Sequence, residues 1–168
     1  GLADRIEVRL GDGLAPLHWT EADDIVIAGM GGDLMVHILS AAPWTRDVKL
    51  ILQPMSTQEV LRQWLVAHGY TIPWEGIARE GEKFYPLFTA TGGQSPRYSP
   101  GELWAGRQQQ GEDNPHRLAY LTEQIRRRQR ALEGMAQSSH PDPGQLDRER
   151  TLQNDLQRMR EEWIQWQR

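Results

Sequence analysis

The 168-residue chain contains no cysteine, which removes disulfides, thiolate metal sites and cysteine nucleophiles from consideration. Its five histidines are scattered and are poor material for a metal centre, so no metal is expected. Positive charge is also in short supply. Nineteen Lys and Arg against 23 Asp and Glu leave a formal charge of −4, which excludes a wholly basic nucleic-acid binder and leaves only a local basic patch to serve RNA. No run approaches the roughly 18 consecutive apolar residues of a membrane span, and the first residues lack the basic-then-apolar build of a signal peptide. A soluble, cytoplasmic protein with no membrane partner is the expectation. The chain opens GLADRIEVRL, without methionine and almost directly at a strand, so a further upstream segment is expected.

What is present is enough apolar residue, 38% of the chain, for one core and an accessory element. Three early runs read as strands: Ile6 to Leu10, Ile25 to Met30 and Lys49 to Gln53. The last two are almost continuously apolar, the pattern of strands buried on both faces of a parallel sheet. A helix from Asp33 would place Leu34, Ile38 and Leu39 on one face, with Asp33 as its cap. A second helix would open with a capping box from Ser56 to Glu59 and stop at Gly69. Two further strands, around Tyr70 to Ala78 and Phe84 to Ala90, suggest an antiparallel hairpin at the sheet edge. From Thr91 to Pro115 the composition turns to Gly, Pro, Ser and Gln, as in a connector. Asn114-Pro115 and Asp142-Pro143 then each read as a cap followed by proline at the first helical position. The stripes Leu118, Leu121, Ile125, Leu132, Met135 and Leu152, Leu156, Met159, Trp163, Trp166 suit an antiparallel helical hairpin with coiled-coil packing, Gln137 to Gln145 forming its tip. The expected units are residues 1–92, 93–114 and 115–168.

Strands alternating with helices put a ligand site at the carboxyl ends of the strands. Gly29-Met30-Gly31-Gly32 sits at such an end. It meets neither the Gly-Lys-Ser/Thr nor the G-x-G-x-x-G phosphate fingerprint; it offers open backbone beside a pocket, or only a strand-to-helix turn. Asp12, between Gly11 and Gly13, could accept from an adenine amino group or a ribose hydroxyl, or bond its own turn. Gln53, before Pro54, could read a base edge or tie down its loop. His37 is read as a packed or partly solvated helix residue. Arg126 to Arg130 form the one dense basic cluster, either phosphate contacts or a solvated face paired with Glu123 and Glu133. Trp163 and Trp166 are expected to pack the hairpin.

The ordered string GLADRIEVRLGDGL, DIVIAGMGGDLMVHIL, LILQPMSTQEVLRQWLVAHGYTI and EGEKFYPLF resembles the bacterial tRNA (adenine-22-N1)-methyltransferase family. The resemblance implies an α/β, Rossmann-like class I methyltransferase sheet, partial because its first strands lie upstream, followed by a C-terminal helical hairpin. It implies S-adenosyl-L-methionine as cofactor, tRNA as partner and methylation of adenine N1. By that resemblance Gly11, Asp12, Gly13, Ala28, Gly29, Met30 and Gly31 would bind the cofactor. Gly32, Gln53, Pro54, Arg126, Arg127 and Arg130 would bind substrate; no catalytic side chain is assigned. Met55 stands where the family has asparagine, and Trp104-Ala105-Gly106 where it has aromatic-Gly-Pro. Two alternatives remain open: a noncatalytic RNA-binding or dimerising fragment, and another nucleotide-cofactor Rossmann enzyme such as an oxidoreductase.

Overall fold

A computed structural model describes residues 3–138 and 142–167. Four strands, β1 (Asp24–Gly31), β2 (Lys49–Ser56), β3 (Tyr70–Glu80) and β4 (Lys83–Gly92), form one sheet in the order β1-β2-β4-β3. β1 and β2 are parallel, joined through α1 (Gly32–Ser40), and α2 (Gln58–Ala67) joins β2 to β3. β4 runs antiparallel to both of its neighbours. The closing hairpin is antiparallel and lies at the sheet edge, as the sequence suggested; its second strand, β4, is the one that joins β2, which gives a mixed sheet.

One face of this sheet carries the core. Ile25, Ile27, Leu50, Leu52, Phe88 and Ala90 alternate inward along their strands, following the two-residue repeat of a pleated strand. Met35, Ile38 and Leu39 of α1 and Leu61 and Leu65 of α2 cover them; full burial of each large aliphatic side chain contributes about 1.5–3 kcal/mol. The expected α1 face shifts by one residue, with Met35 buried and Leu34 49% exposed. β1 is buried on one face only, because Val26 on the other is 66% exposed.

The predicted first strand does not form. Residues 6–10 have no strand partner among the described residues, and a strand without a lateral neighbour leaves its backbone groups unpaired. Val8 and Leu10 are accordingly exposed, and the segment is held from its side: Arg9 bridges Glu7 and Glu21 at 2.7 Å each. Three expected caps also move. Ser56 ends β2 and pairs with Gly31, so α2 starts behind Thr57. Asp33 lies within the first turn of α1. α4 (Arg117–Ala136) starts behind His116, with Asn114 one turn earlier accepting from the Arg117 amide through its carbonyl. Asp142 does cap α5 (Pro143–Trp166), accepting from Gly144 N at 2.9 Å.

α4 and α5 pack as a helical hairpin over Leu121, Ile125, Leu152, Leu156 and Met159; of its predicted tip, residues 139–141 lie outside the described residues. The expected connector is helical around Leu103 and Trp104, where the sequence left room for order. Ser99 and Glu102 make a reciprocal capping box that opens α3 (Pro100–Ala105), and Gly101 N donates to Asp155 of α5 at 2.7 Å. Arg62 of α2, its side chain 1% exposed, pairs with Glu75 of β3 at 2.8 Å and donates to the Leu103 and Trp104 carbonyls at 3.0 and 3.3 Å. Glu75 in turn accepts from Arg107 N at 2.8 Å. From the hairpin side, buried Arg117 donates to the Ala105 and Gly106 carbonyls, both at 2.6 Å.

Arg62→Ala should therefore cost about 3–5 kcal/mol in urea unfolding, because it strands the Glu75 carboxylate in the interior; a loss below about 1 kcal/mol, the range of exposed pairs, would contradict the buried lock. A second outcome concerns acid. Burial pushes the Asp155 carboxyl up, but bonds from Ser99, Arg158 and the Gly101 amide outweigh it and hold the group below its ordinary value. Its contribution is present above the usual aspartate range and lost as pH falls through the lowered value. Melting temperature followed from about pH 5 to about pH 2 should thus fall less steeply in Asp155→Asn than in the parent; parallel curves would show the carboxylate to be idle.

Candidate active site

The parallel strands β1 and β2 end together, and their ends are interlocked. The register runs Ala28 to Gln53, Met30 to Pro54 and Gly31 to Ser56, with irregularities on both sides of Met30. Gly29 causes the first of these: its φ of 77° is a left-handed conformation that glycine adopts without steric penalty. Nothing lies within 4 Å of where its Cβ would be, so the backbone there borders open space. Gly32 is constrained in the opposite sense. A Cβ on it would meet the Thr57 carbonyl oxygen, so only glycine lets the first turn of α1 pass the end of β2.

Hydrogen bonds fix this arrangement. Gly29 N donates to Gln53 Oε1 at 3.1 Å, and Gln53 Nε2 donates to the Pro54 carbonyl at 3.3 Å. Asp33 N donates to Thr57 Oγ1 at 3.3 Å. Both ends of the Gln53 amide are thus engaged within the loop. Ala28, Met30 and Met55 remain exposed around the loop. The result is an apolar rim with bare backbone, suited to receiving a flat ring at close range, with Asp33, Ser56 and Thr57 at its border.

Next to it, Met55, Ser56 and Thr57 open into a cleft of about 340 Å³ whose far wall is α4, through Tyr120, Gln124 and Arg127. The strand ends thus share one cleft with Arg127 and Arg128 of the basic cluster, whereas Arg126 and Arg130 line a separate groove on the other flank of α4. Gln58 bridges it, donating to Tyr120 Oη at 3.1 Å, and Trp104 Nε1 donates to Gln124 Oε1 at 2.9 Å. Neither contact had a signal in the sequence, because each joins elements that only the folded connector brings together. Within the cluster, Arg126 and Arg127 share Glu123 at 2.6 and 2.7 Å, and these two guanidiniums hold its carboxyl down to about 2. Arg128 stacks on Trp104 at 4.3 Å and lies 3.4 Å from Glu149. Two cations on one carboxylate leave a surplus positive charge facing solvent.

Gly11, Asp12 and Gly13 stand elsewhere. Asp12 and Gly13 line a cavity of about 270 Å³ with His37, Ile38 and Ala41, towards the C-terminal end of α1, and none of residues 28–32 borders it. A turn from Ala15 N to the Asp12 carbonyl and packing of Gly13 against Ile38 hold them there. Among the described residues no cluster of His, Asp and Glu could hold a metal ion, and no helix is long and apolar enough to cross a membrane.

Comparison with known proteins bears on what such a platform belongs to. The family model described as TrmK, tRNA (adenine(22)-N(1))-methyltransferase, matches residues 1–161. The tRNA (adenine(22)-N(1))-methyltransferase of Bacillus subtilis (strain 168) is 43% identical over 95 residues, a stretch that spans 55% of this chain and 40% of that protein. The crystal structure of the B. subtilis M1A22 tRNA methyltransferase TrmK superposes with a TM-score of 0.71 at 29% identity, covering 98% of this chain and 71% of the other. A Streptococcus pneumoniae protein described as a candidate tRNA (m1A22) methyltransferase, solved with S-adenosyl-L-methionine, gives 0.74 at 31% identity, over 93% and 71% of the respective chains. With a mixed Rossmann-like sheet, a helical hairpin and a family match over nearly its whole length, the chain belongs to the tRNA (adenine(22)-N(1))-methyltransferase family.

Proposed function

We propose that this chain carries the target-base side of an S-adenosyl-L-methionine-dependent methyltransferase acting on N1 of adenine 22 in tRNA. The observation that carries the reading is the bare-backbone loop Gly29–Gly32 at the paired ends of β1 and β2, opening beside the arginine-bearing helix α4. The loop fits the methyl-bearing part of the cofactor: Ala28, Gly29, Met30 and Gly31 would wall it without intruding side chains. Gly11, Asp12 and Gly13 keep their proposed role at the cofactor adenine from the family resemblance.

When bound, S-adenosyl-L-methionine supplies a methyl group on a positively charged sulfur. Adenine N1 has an in-plane lone pair and attacks without prior deprotonation, so the protein's task is alignment and exclusion of water. N1 lies on the Watson–Crick edge, which requires the adenine to be unpaired or turned out of its stack. Gly32 and Pro54 would admit the ring to the strand ends, and Gln53 would hold Gly29 in its left-handed conformation. Arg126, Arg127 and Arg130 would contact tRNA phosphates. A tRNA substrate places this work in the cytoplasm.

A second reading, a noncatalytic RNA-binding fragment, is favoured by one observation: Asp12 lines a cavity that none of residues 28–32 borders. Calorimetry with S-adenosyl-L-methionine separates the two, since the fragment reading predicts no heat of binding. For the leading reading, the test is methyl transfer to a tRNA transcript, with the modified base located by a primer-extension stop. A stop at adenine 22 is expected. Gly31→Leu should lower the rate by about 100-fold, by displacing the ring from its attack position, while the unfolding midpoint stays near that of the parent. Undiminished methylation in that variant would remove the loop from the site.

A further inference from the structure

Thr57 is the one residue other than glycine with a positive φ among the described residues, at φ 47° and ψ 39°. That left-handed region is disfavoured for any L residue and most of all for a β-branched one, whose second γ atom crowds its own backbone. The turn itself is required. β2 runs through Ser56, which pairs with Gly31, and α2 begins at Gln58, so a single residue must redirect the chain between strand and helix. Glycine would make that turn without steric penalty, as Gly29 does on the neighbouring strand. A threonine in its place supplies something that glycine lacks.

What it supplies is a hydroxyl aimed at another element. A threonine at a helix start ordinarily lies in the extended region and caps its own helix, but α2 has no side-chain cap. The Thr57 side chain reaches across to α1 instead, where Oγ1 accepts from Asp33 N at 3.3 Å. α1 has no side-chain cap of its own either, because its N-cap residue is Gly31. The Thr57 carbonyl works alongside, accepting from Leu61 N at 3.3 Å while leaving no room for a Cβ on Gly32. One residue thus touches the start of both helices and sets the gap between the ends of β1 and β2, and it lies on the wall of the cleft of about 340 Å³. Sparsely populated backbone conformations persist where the surrounding structure enforces them, and they cluster at sites of function.

We infer that Thr57 is a positioning residue for methyl transfer: its hydroxyl, held out by the left-handed turn, ties the start of α1 to the end of β2 and so sets the spacing at which Gly29–Gly32 receive the adenine. The inference rests on the methyltransferase reading above and adds to it a residue that acts through the loop. Gln53 braces Gly29 from one side of the loop and Thr57 holds Asp33 on the other, so the four residues between them are fixed at both ends.

Three variants of the 168-residue chain separate the hydroxyl from the turn. Thr57→Val keeps the shape and loses the hydroxyl, Thr57→Ser keeps the hydroxyl, and Thr57→Gly relaxes the turn while losing the hydroxyl. By amide hydrogen exchange on nitrogen-15-labelled protein, the Asp33 amide should exchange about fivefold faster in the valine and glycine variants and stay within about twofold of the parent in the serine variant. With a tRNA transcript, kcat should fall about tenfold in the valine and glycine variants with KM unchanged, and serine should restore it. The glycine variant is decisive, because relief of the strained turn offsets the lost bond and keeps its unfolding midpoint near that of the parent; a merely structural role would then leave kcat alone. Parent-like exchange at Asp33 in Thr57→Val, or parent-like kcat in Thr57→Gly, would overturn the role of Thr57 while leaving the methyltransferase reading intact. A parent chain that transfers no methyl group to tRNA would fail that reading, and the positioning role with it, whatever the exchange rates show.

Discussion

The buried pair between Arg62 and Glu75 is the constraint on which the arrangement depends. Such pairs are not strong stabilisers in themselves, because desolvation consumes most of the attraction. This one does more than pair. Arg62 spends its remaining donors on the Leu103 and Trp104 carbonyls, and Glu75 spends its second oxygen on the Arg107 amide. The end of a six-residue helix would otherwise present unsatisfied carbonyls to the interior. Arg117 closes the same segment from the hairpin side. Residues from α2, β3 and α4 thus converge on a short stretch of chain, and each would be left buried and unpaired if that stretch moved.

The functional consequence is geometric. On the proposed reading, methyl transfer to a ring nitrogen that needs no activation depends on holding the ring still and dry, and a flexible attachment between the sheet and the hairpin would dissipate that alignment. The lock places α4 across the cleft from β2, with Gln58 bonded to Tyr120 and Trp104 held between Gln124 and Arg128. Glycines at 29 and 32 serve the opposite need at the strand ends, one leaving space and the other allowing two backbones to pass. Rigidity around the site and emptiness within it come from different residues.

Much of this could be read from the chain. The parallel β1–α1–β2 unit, the glycine loop at its end, the hairpin helices and the Asp142 cap follow from periodicity and punctuation, because each is a local pattern. What could not be read is non-local. Residues 6–10 have the composition of a strand but lack a described neighbour, and pairing is a property of two segments. The order β1-β2-β4-β3 depends on where β4 inserts, which its own sequence does not encode. Ser56 has the right spacing for a capping box, yet β2 extends through it, and the box forms instead at Ser99 and Glu102 within what composition marked as connector. For the candidate site, the sequence singled out the loop, Gln53 and Pro54. The bond from Gly29 to Gln53 emerged only from the fold, as did the cleft that Met55 and Arg127 share.

The central claim is that sheet and hairpin form one rigid platform. The chain has no cysteine, so spin labels at Gln63→Cys on exposed α2 and Asn154→Cys on exposed α5 would report without interference. Pulsed electron–electron resonance should give a single narrow distance distribution between them, unchanged on adding tRNA. A broad or multiple distribution in the folded protein would contradict the lock, and with it the alignment on which the account depends.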